Sequence, residues 1–217
     1  MKNRFFKIVL FLLFATDCYS QGVGARLGIG QFASQAEQID GSTGNSGILG
    51  LTLKSKRNFM LDLSVRINGT RQTEVDFKLL DSTFTIAHLW RRIGYTAVIV
   101  APGFKVGFSQ LIAGLEFFTM IGGGVSFATV LNRVQYSLPG ATPVFKPYEN
   151  HQNWKPIWMI SAGFKVRVLF LGIFGEASYY DGAPLEYDAV KIDDIMVIPG
   201  GEVQPRGFAA YIGLCWD

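Results

Sequence analysis

The sequence is short of charge, cysteine and histidine, and each shortage closes off a class of protein. Asp, Glu, Lys and Arg make up 17% of the 217 residues, against about a quarter in an ordinary soluble domain. The formal net charge is only +3, without a dense Lys/Arg stripe, so nucleic acid is not an expected partner. The 2 cysteines, Cys18 and Cys215, cannot make a disulfide framework. The 2 histidines, His88 and His151, have no Cys, His or carboxylate at metal-ligand spacing, and both are expected as solvated loop side chains. Uninterrupted membrane-helix segments are missing too. The longest apolar run, Leu111 to Leu131, contains Glu116 and is broken by Gly122-Gly123-Gly124, which weaken a helix centre. Other apolar runs carry Lys105, Lys165 with Arg167, or Glu176, costly charges on a lone membrane helix.

What is present is greasy: 49% of residues are hydrophobic, with 25 Gly and 18 Phe, and the mean hydropathy is +0.25. The apolar residues alternate. In Phe59 to Asn68, Phe59, Leu61, Leu63, Val65 and Ile67 share one face, and Met60, Asp62, Ser64, Arg66 and Asn68 share the other. At the end of the chain Phe208, Ala210, Ile212, Leu214 and Trp216 alternate with Gly207, Ala209, Tyr211, Gly213 and Cys215. Period two is the mark of a strand with two unlike faces. Further strands are expected over Gly22–Gln31, Ser46–Lys54, Tyr95–Phe108, Glu116–Asn132, Pro156–Val166 and Leu169–Tyr180. Between them the connections run long, short, long, short, long, short, long. Outer-membrane barrels pair short periplasmic turns with longer extracellular loops. The fold class expected is therefore all-β: an antiparallel up-and-down transmembrane β-barrel of about eight strands. The long loops are Phe32–Asn45, Gly69–Gly94, Arg133–Lys155 and Asp181–Pro205. Within the second, Thr73–Leu79 and Thr83–Leu89 suit a hairpin that prolongs the neighbouring strands.

Residues 1–20 have the form of a cleaved signal peptide: Lys2, Arg4 and Lys7, then the apolar Ile8 to Ala15, then Cys18-Tyr19-Ser20 before a cut. Residues 21–217 form the barrel domain, and the cell outer membrane is the expected location. Cys18 opens a lipidation alternative, which Asp17 beside it disfavours.

No catalytic constellation is expected. Asp81, Ser82 and His88 match no motif, and Gly122-Gly123-Gly124 lacks the Lys-Ser/Thr of a phosphate loop. Glu186, Asp188, Asp193 and Asp194 lack the spacing of a calcium loop. Neither cofactor nor metal is expected. Trp90, Tyr95, Tyr148, Trp154, Tyr179 and Tyr180 sit near strand ends and are expected as interface anchors. The informative residues are the charges on inward faces: Arg26, Lys54, Asp62, Arg66, Lys105, Lys165 and Glu176, with Glu116. An eight-stranded barrel is just wide enough for side chains to fill, and buried charges need partners. These residues are expected to form a packed polar lumen network, with Asp62 paired to Arg66, Lys54 or Lys105.

With these strands placed, the chain resembles the PorT-like outer-membrane β-barrels of Bacteroidetes. The resemblance rests on Tyr19-Ser20-Gln21-Gly22-Val23-Gly24, on Val98-Ile99-Val100-Ala101-Pro102-Gly103-Phe104-Lys105-Val106, on Ser161-Ala162-Gly163-Phe164-Lys165 and on Tyr211-Ile212-Gly213-Leu214. In this sequence Asp217 follows the closing aromatic Trp216. The resemblance implies a small barrel with no catalytic residues, in contact with membrane lipid. It also implies a structural or interaction role in the envelope, as an accessory that meets another envelope or secretion protein through the long loops. The alternative is a small pore or transporter for ions or small solutes.

Overall fold

The computed structural model describes residues 20–36, 39, 41–55, 58–75, 86–107, 114–137, 140–168, 171–192, 195–198 and 200–216. All regular structure of any length among them is strand: β1 (Ser20–Ser34), β2 (Thr43–Ser55), β3 (Phe59–Gly69), β4 (Thr73–Val75), β5 (Ile86–Gly107), β6 (Leu115–Ser137), β7 (Val144–Val168), β8 (Leu171–Gly182), β9 (Leu185–Tyr187), β10 (Val190–Ile192), β11 (Ile195–Ile198), β12 (Gly201–Val203) and β13 (Arg206–Trp216). The main sheet runs β3-β2-β1-β13-β8-β7-β6-β5, with β4 at the end of β5, and β3 also pairs with β5. That last pairing closes eight antiparallel strands into a barrel without a free edge. The final strand meets the first over ten residue pairs, from Ala25 opposite Trp216 to Ser34 opposite Gly207.

Alternation sorts the side chains as the sequence requires. Leu27, Ile29, Leu49, Leu63, Val65, Ile67, Val98, Ile121, Ile160, Ile173, Ile212 and Leu214 point outward and are exposed. Such a belt of bare aliphatic residues on a closed barrel is what hydrocarbon, and not water, stabilises. On β5 the belt runs from Val106 up to Thr96. Ten residue steps of about 3.3 Å, tilted by about 40°, give a height of about 25 Å, the apolar band of an outer-membrane barrel. Trp158, Tyr179 and Phe208 form an aromatic run outside the upper rim, with ring centroids 5.6 and 5.0 Å apart. Leu61 departs from expectation: its register is outward, yet it is only 3% exposed.

The extracellular end is more ordered than the sequence reading allows. The segment 133–155 is largely strand rather than loop, because β6 and β7 continue as a hairpin from Val125 opposite Pro156 to Tyr136 opposite Val144. Thr73–Val75 pairs with Leu89–Arg91, part of the extension expected there; the remainder of that hairpin lies outside the described residues. Within 181–205, β9 pairs with β12 and β10 with β11. Leu185 and Val203 are 0% and 4% exposed, so this is a folded lid and not a solvated loop. They join Ala36, Ile39, Leu89, Ile93, Val130 and Val134 in one buried apolar cluster, which caps the lumen.

Candidate functional site

The seven charged residues read as one lumen network occupy two levels. At mid-height are Arg26 on β1, Asp62 and Arg66 on β3, and Glu176 on β8, all at most 5% exposed. Arg26 donates from Nη2 to Asp62 Oδ2 at 2.6 Å and from Nη1 to Glu176 Oε2. Arg66 donates from Nη1 to Glu176 Oε1 at 2.6 Å, and its Nη2 lies 3.7 Å from Asp62 Oδ2. Two guanidiniums and two carboxylates thus alternate in a closed, neutral ring. Asp62 pairs with Arg26 and Arg66.

Neutral groups complete the ring. Thr52 Oγ1 donates to Asp62 Oδ1 at 3.3 Å, and Ser178 Oγ donates to Glu176 Oε1 at 2.7 Å. Arg66 Nε donates to Ser64 Oγ at 3.0 Å. A relay climbs from the ring: Arg66 Nη1 donates to Tyr180 Oη at 2.8 Å, Tyr180 and Tyr211 hydroxyls lie 2.9 Å apart, and Tyr211 Oη donates to Asn68 Oδ1 at 2.9 Å. Tyr180 and Tyr95 are 0% and 3% exposed and pack edge to face. They are lumen residues, which corrects their reading as interface anchors. The sequence signal for Tyr180 and Tyr211 was parity: both share the inward face of their strands with Glu176 and Cys215.

The ring forms because its floor is small. Gly50 faces Arg26 across the β1–β2 ladder. A Cβ there would lie 3.0 Å from Arg26 Nε and 3.3 Å from Asp62 Oδ1. The bare backbone of β2 lets a guanidinium on β1 reach a carboxylate on β3, two strands away.

The second level is the periplasmic mouth. Lys54, Lys105, Glu116 and Lys165 line a cavity of about 40 Å³ together with Arg26, Met60, Phe118, Phe174 and Cys215. That volume holds a few waters. Arg167 Nη2 lies 3.6 Å from Glu116 Oε1. The mouth is therefore rich in cations, and Arg26 of the ring above also lines it, beside Met60 and Phe174.

The remaining candidates scatter. His88 stands on β5 and not in a loop, with Nδ1 2.5 Å from Glu74 Oε1 and its ring stacked on Trp90. His151 is also on a strand, β7, opposite Thr129. Asp81, Ser82, Asp193 and Asp194 lie outside the described residues. Glu186 lies 3.5 Å from Lys155 Nζ. Among the described residues no group of three or more His, Cys, Asp or Glu side chains is placed to hold a metal.

No protein-family model and no curated protein matches the sequence. Solved structures similar in fold include Neisserial surface protein A, at 9% identity over 89% of this chain and 95% of that one, TM-score 0.48. The attachment invasion locus protein Ail of Yersinia pestis is 16% identical over 89% and 98%, TM-score 0.41. A major outer membrane protein from Thermus thermophilus is 13% identical over 88% and 98%, TM-score 0.47. At such identities and scores the likeness says nothing of activity, and the ring and the mouth must be read from their own chemistry.

Proposed function

We propose that the protein is a plugged outer-membrane barrel that works as a structural and interaction element of the envelope, without enzymatic activity and without a conducting lumen. The observation that supports this most is the ring of Arg26, Asp62, Arg66 and Glu176. Its charges are spent on one another, in side chains at most 5% exposed, where a conducting pore would leave them to water and ions. The apolar cap above adds a second obstruction.

An interaction role places the working surface outside the lumen. β5, β6 and β7 extend well past the apolar belt, and the extension presents Val144, Phe145 and Trp154 at 45%, 58% and 69% exposure. Phe145 stacks on Trp90, ring centroids 6.4 Å apart. An exposed aromatic wing above the membrane suits contact with another envelope protein, in keeping with the resemblance to PorT-like barrels and an accessory role in a secretion complex. Planar-bilayer recording tests the plugged lumen. Insertion of the purified barrel is expected to give no discrete conductance; ohmic single-channel steps would establish the pore reading instead.

A further inference from the structure

On the outer wall, at the top of the belt and above it, three successive rows of residues follow from the ladder. Ile67, Thr96 and Phe127 form the top of the apolar belt. Gly69, Gly94 and Thr129 form the next row, and Arg92 with Leu131 the one above. Two adjacent glycines leave a dent: a Cβ at Gly94 would find its nearest neighbour 3.9 Å away, and one at Gly69 would lie 4.0 Å from Arg92 Nη2. The Arg92 guanidinium thus leans over the dent. Arg71 and Arg133 line the same groove of about 680 Å³, with Asn68, Thr96 and Phe127. Arg71, Arg92 and Arg133 are all exposed. Among the described residues no carboxylate makes an ion pair with any of the three.

The position decides what such a cluster would meet. By the belt height above, Thr96 marks the edge of the hydrocarbon, so the three guanidiniums stand at headgroup level on the extracellular side. Arginine forks match phosphate oxygens bidentately. Below them the groove continues into Ile67 and Phe127, 57% and 41% exposed, which suit acyl chains. We propose that this groove is a binding site for a phosphorylated lipid of the outer leaflet, its phosphates held by Arg71, Arg92 and Arg133 and its chains lying along Ile67 and Phe127. The proposal rests on membrane insertion of the barrel but not on the plugged lumen.

Native mass spectrometry of the full barrel in detergent tests it, with two probes of identical acyl chains: a diphosphorylated lipid A and its dephosphorylated counterpart. The wild type is expected to retain the phosphorylated lipid at one copy. The triple variant Arg71→Ala/Arg92→Ala/Arg133→Ala should bind it at least ten-fold more weakly, and the triple Lys variant should lie between. If the triple Ala variant does not fold, Arg92→Ala alone should weaken retention several-fold. A gel shift on boiling, run on each variant, reports the barrel separately, so failure of the membrane reading is distinguishable from failure of the site. Undiminished retention by a folded Ala variant would overturn the proposal. Equal retention of the dephosphorylated lipid would do the same, as would displacement of the lipid by equimolar sodium phosphate, which would mark a free-anion site.

Discussion

Asp62→Ala is the perturbation that separates a packed lumen from a wet one. In the folded barrel Asp62 is 0% exposed and faces Arg26, Arg66 and Thr52. Its removal leaves two guanidiniums sharing the single carboxylate of Glu176, an excess of one positive charge in a dry interior. With charge centres about 4 Å apart and an effective dielectric constant of about 20, the lost Arg26 attraction is about 4 kcal/mol. Broken buried pairs cost about 3–5 kcal/mol, because the remaining charge stays desolvated. The expected loss therefore lies in that span, read as a urea unfolding midpoint of the refolded barrel followed by tryptophan fluorescence. Replacing the cation too, in Arg26→Met/Asp62→Ala, removes the orphaned charge and should recover about 2 kcal/mol of the loss as a coupling energy. Glu176→Ala should cost more than Asp62→Ala, since Glu176 accepts from both guanidiniums and from Ser178. A loss under about 1 kcal/mol, the value of a solvated pair, together with an anion-selective conductance, would refute both the packed lumen and the proposed role.

Three other outcomes use neighbouring positions as controls. Glu116→Gln removes the same charge at the mouth, where Arg167 and Glu116 are partly solvent-exposed and 3.6 Å apart; its cost should stay below about 1 kcal/mol in the same titration. Leu63→Arg places a cation near mid-belt, opposite Leu51 and Val100, and should cost about 2–4 kcal/mol. Ser64→Arg, one residue on, adds a third guanidinium beside Arg66 and is expected to block refolding, seen as loss of the gel shift on boiling. A Cβ at Gly124 would sit 1.8 Å from the Val98 carbonyl oxygen, whereas one at Gly123 would meet nothing nearer than 3.8 Å. Gly124→Ala should thus cost about 1–3 kcal/mol and Gly123→Ala stay within about 0.5 kcal/mol, compared by unfolding midpoint.

The barrel was legible because a strand in a membrane wall has one rule per residue: odd and even positions meet different solvents. Eight runs of alternation, with connections alternating in length, leave few other folds. The same rule explains where the reading stopped. Beyond the belt both faces meet water or the lid, alternation fades, and the strands become invisible although their ladders continue. In β7 a bulge hides the strand further: Ser126 faces Lys155 while Ala128 faces Gln152, so three steps on one strand match two on the other, and Trp154 adopts φ 55°. An inserted residue flips the parity of all that precede it. Together with Pro143, Pro147 and Pro156, this made 133–155 read as loop.

Parity also explains the partial reading of the lumen charges. It assigns a residue to the inner face but not to a height, because height depends on the stagger between strands, which no single strand records. Lys54 and Asp62 flank one turn and looked like neighbours. The ladder instead puts Lys54 opposite Met60, and Thr52 opposite Asp62, which drops the lysine toward the mouth. Arg26 and Asp62 are separated by a whole strand, and only Gly50 between them lets their side chains meet. The three lysines gather at the mouth, which can hydrate them, and Arg66 lies above it at 0% exposure, with Arg26 reaching from the ring to the mouth cavity. That division follows the two side chains' chemistry: a guanidinium is weakly hydrated and can satisfy two carboxylates at once, whereas an ammonium is strongly hydrated and loses its charge when buried. At these two levels Arg26 and Arg66 hold the carboxylates at mid-height, while Lys54, Lys105 and Lys165 line the mouth, where Glu116 pairs with Arg167.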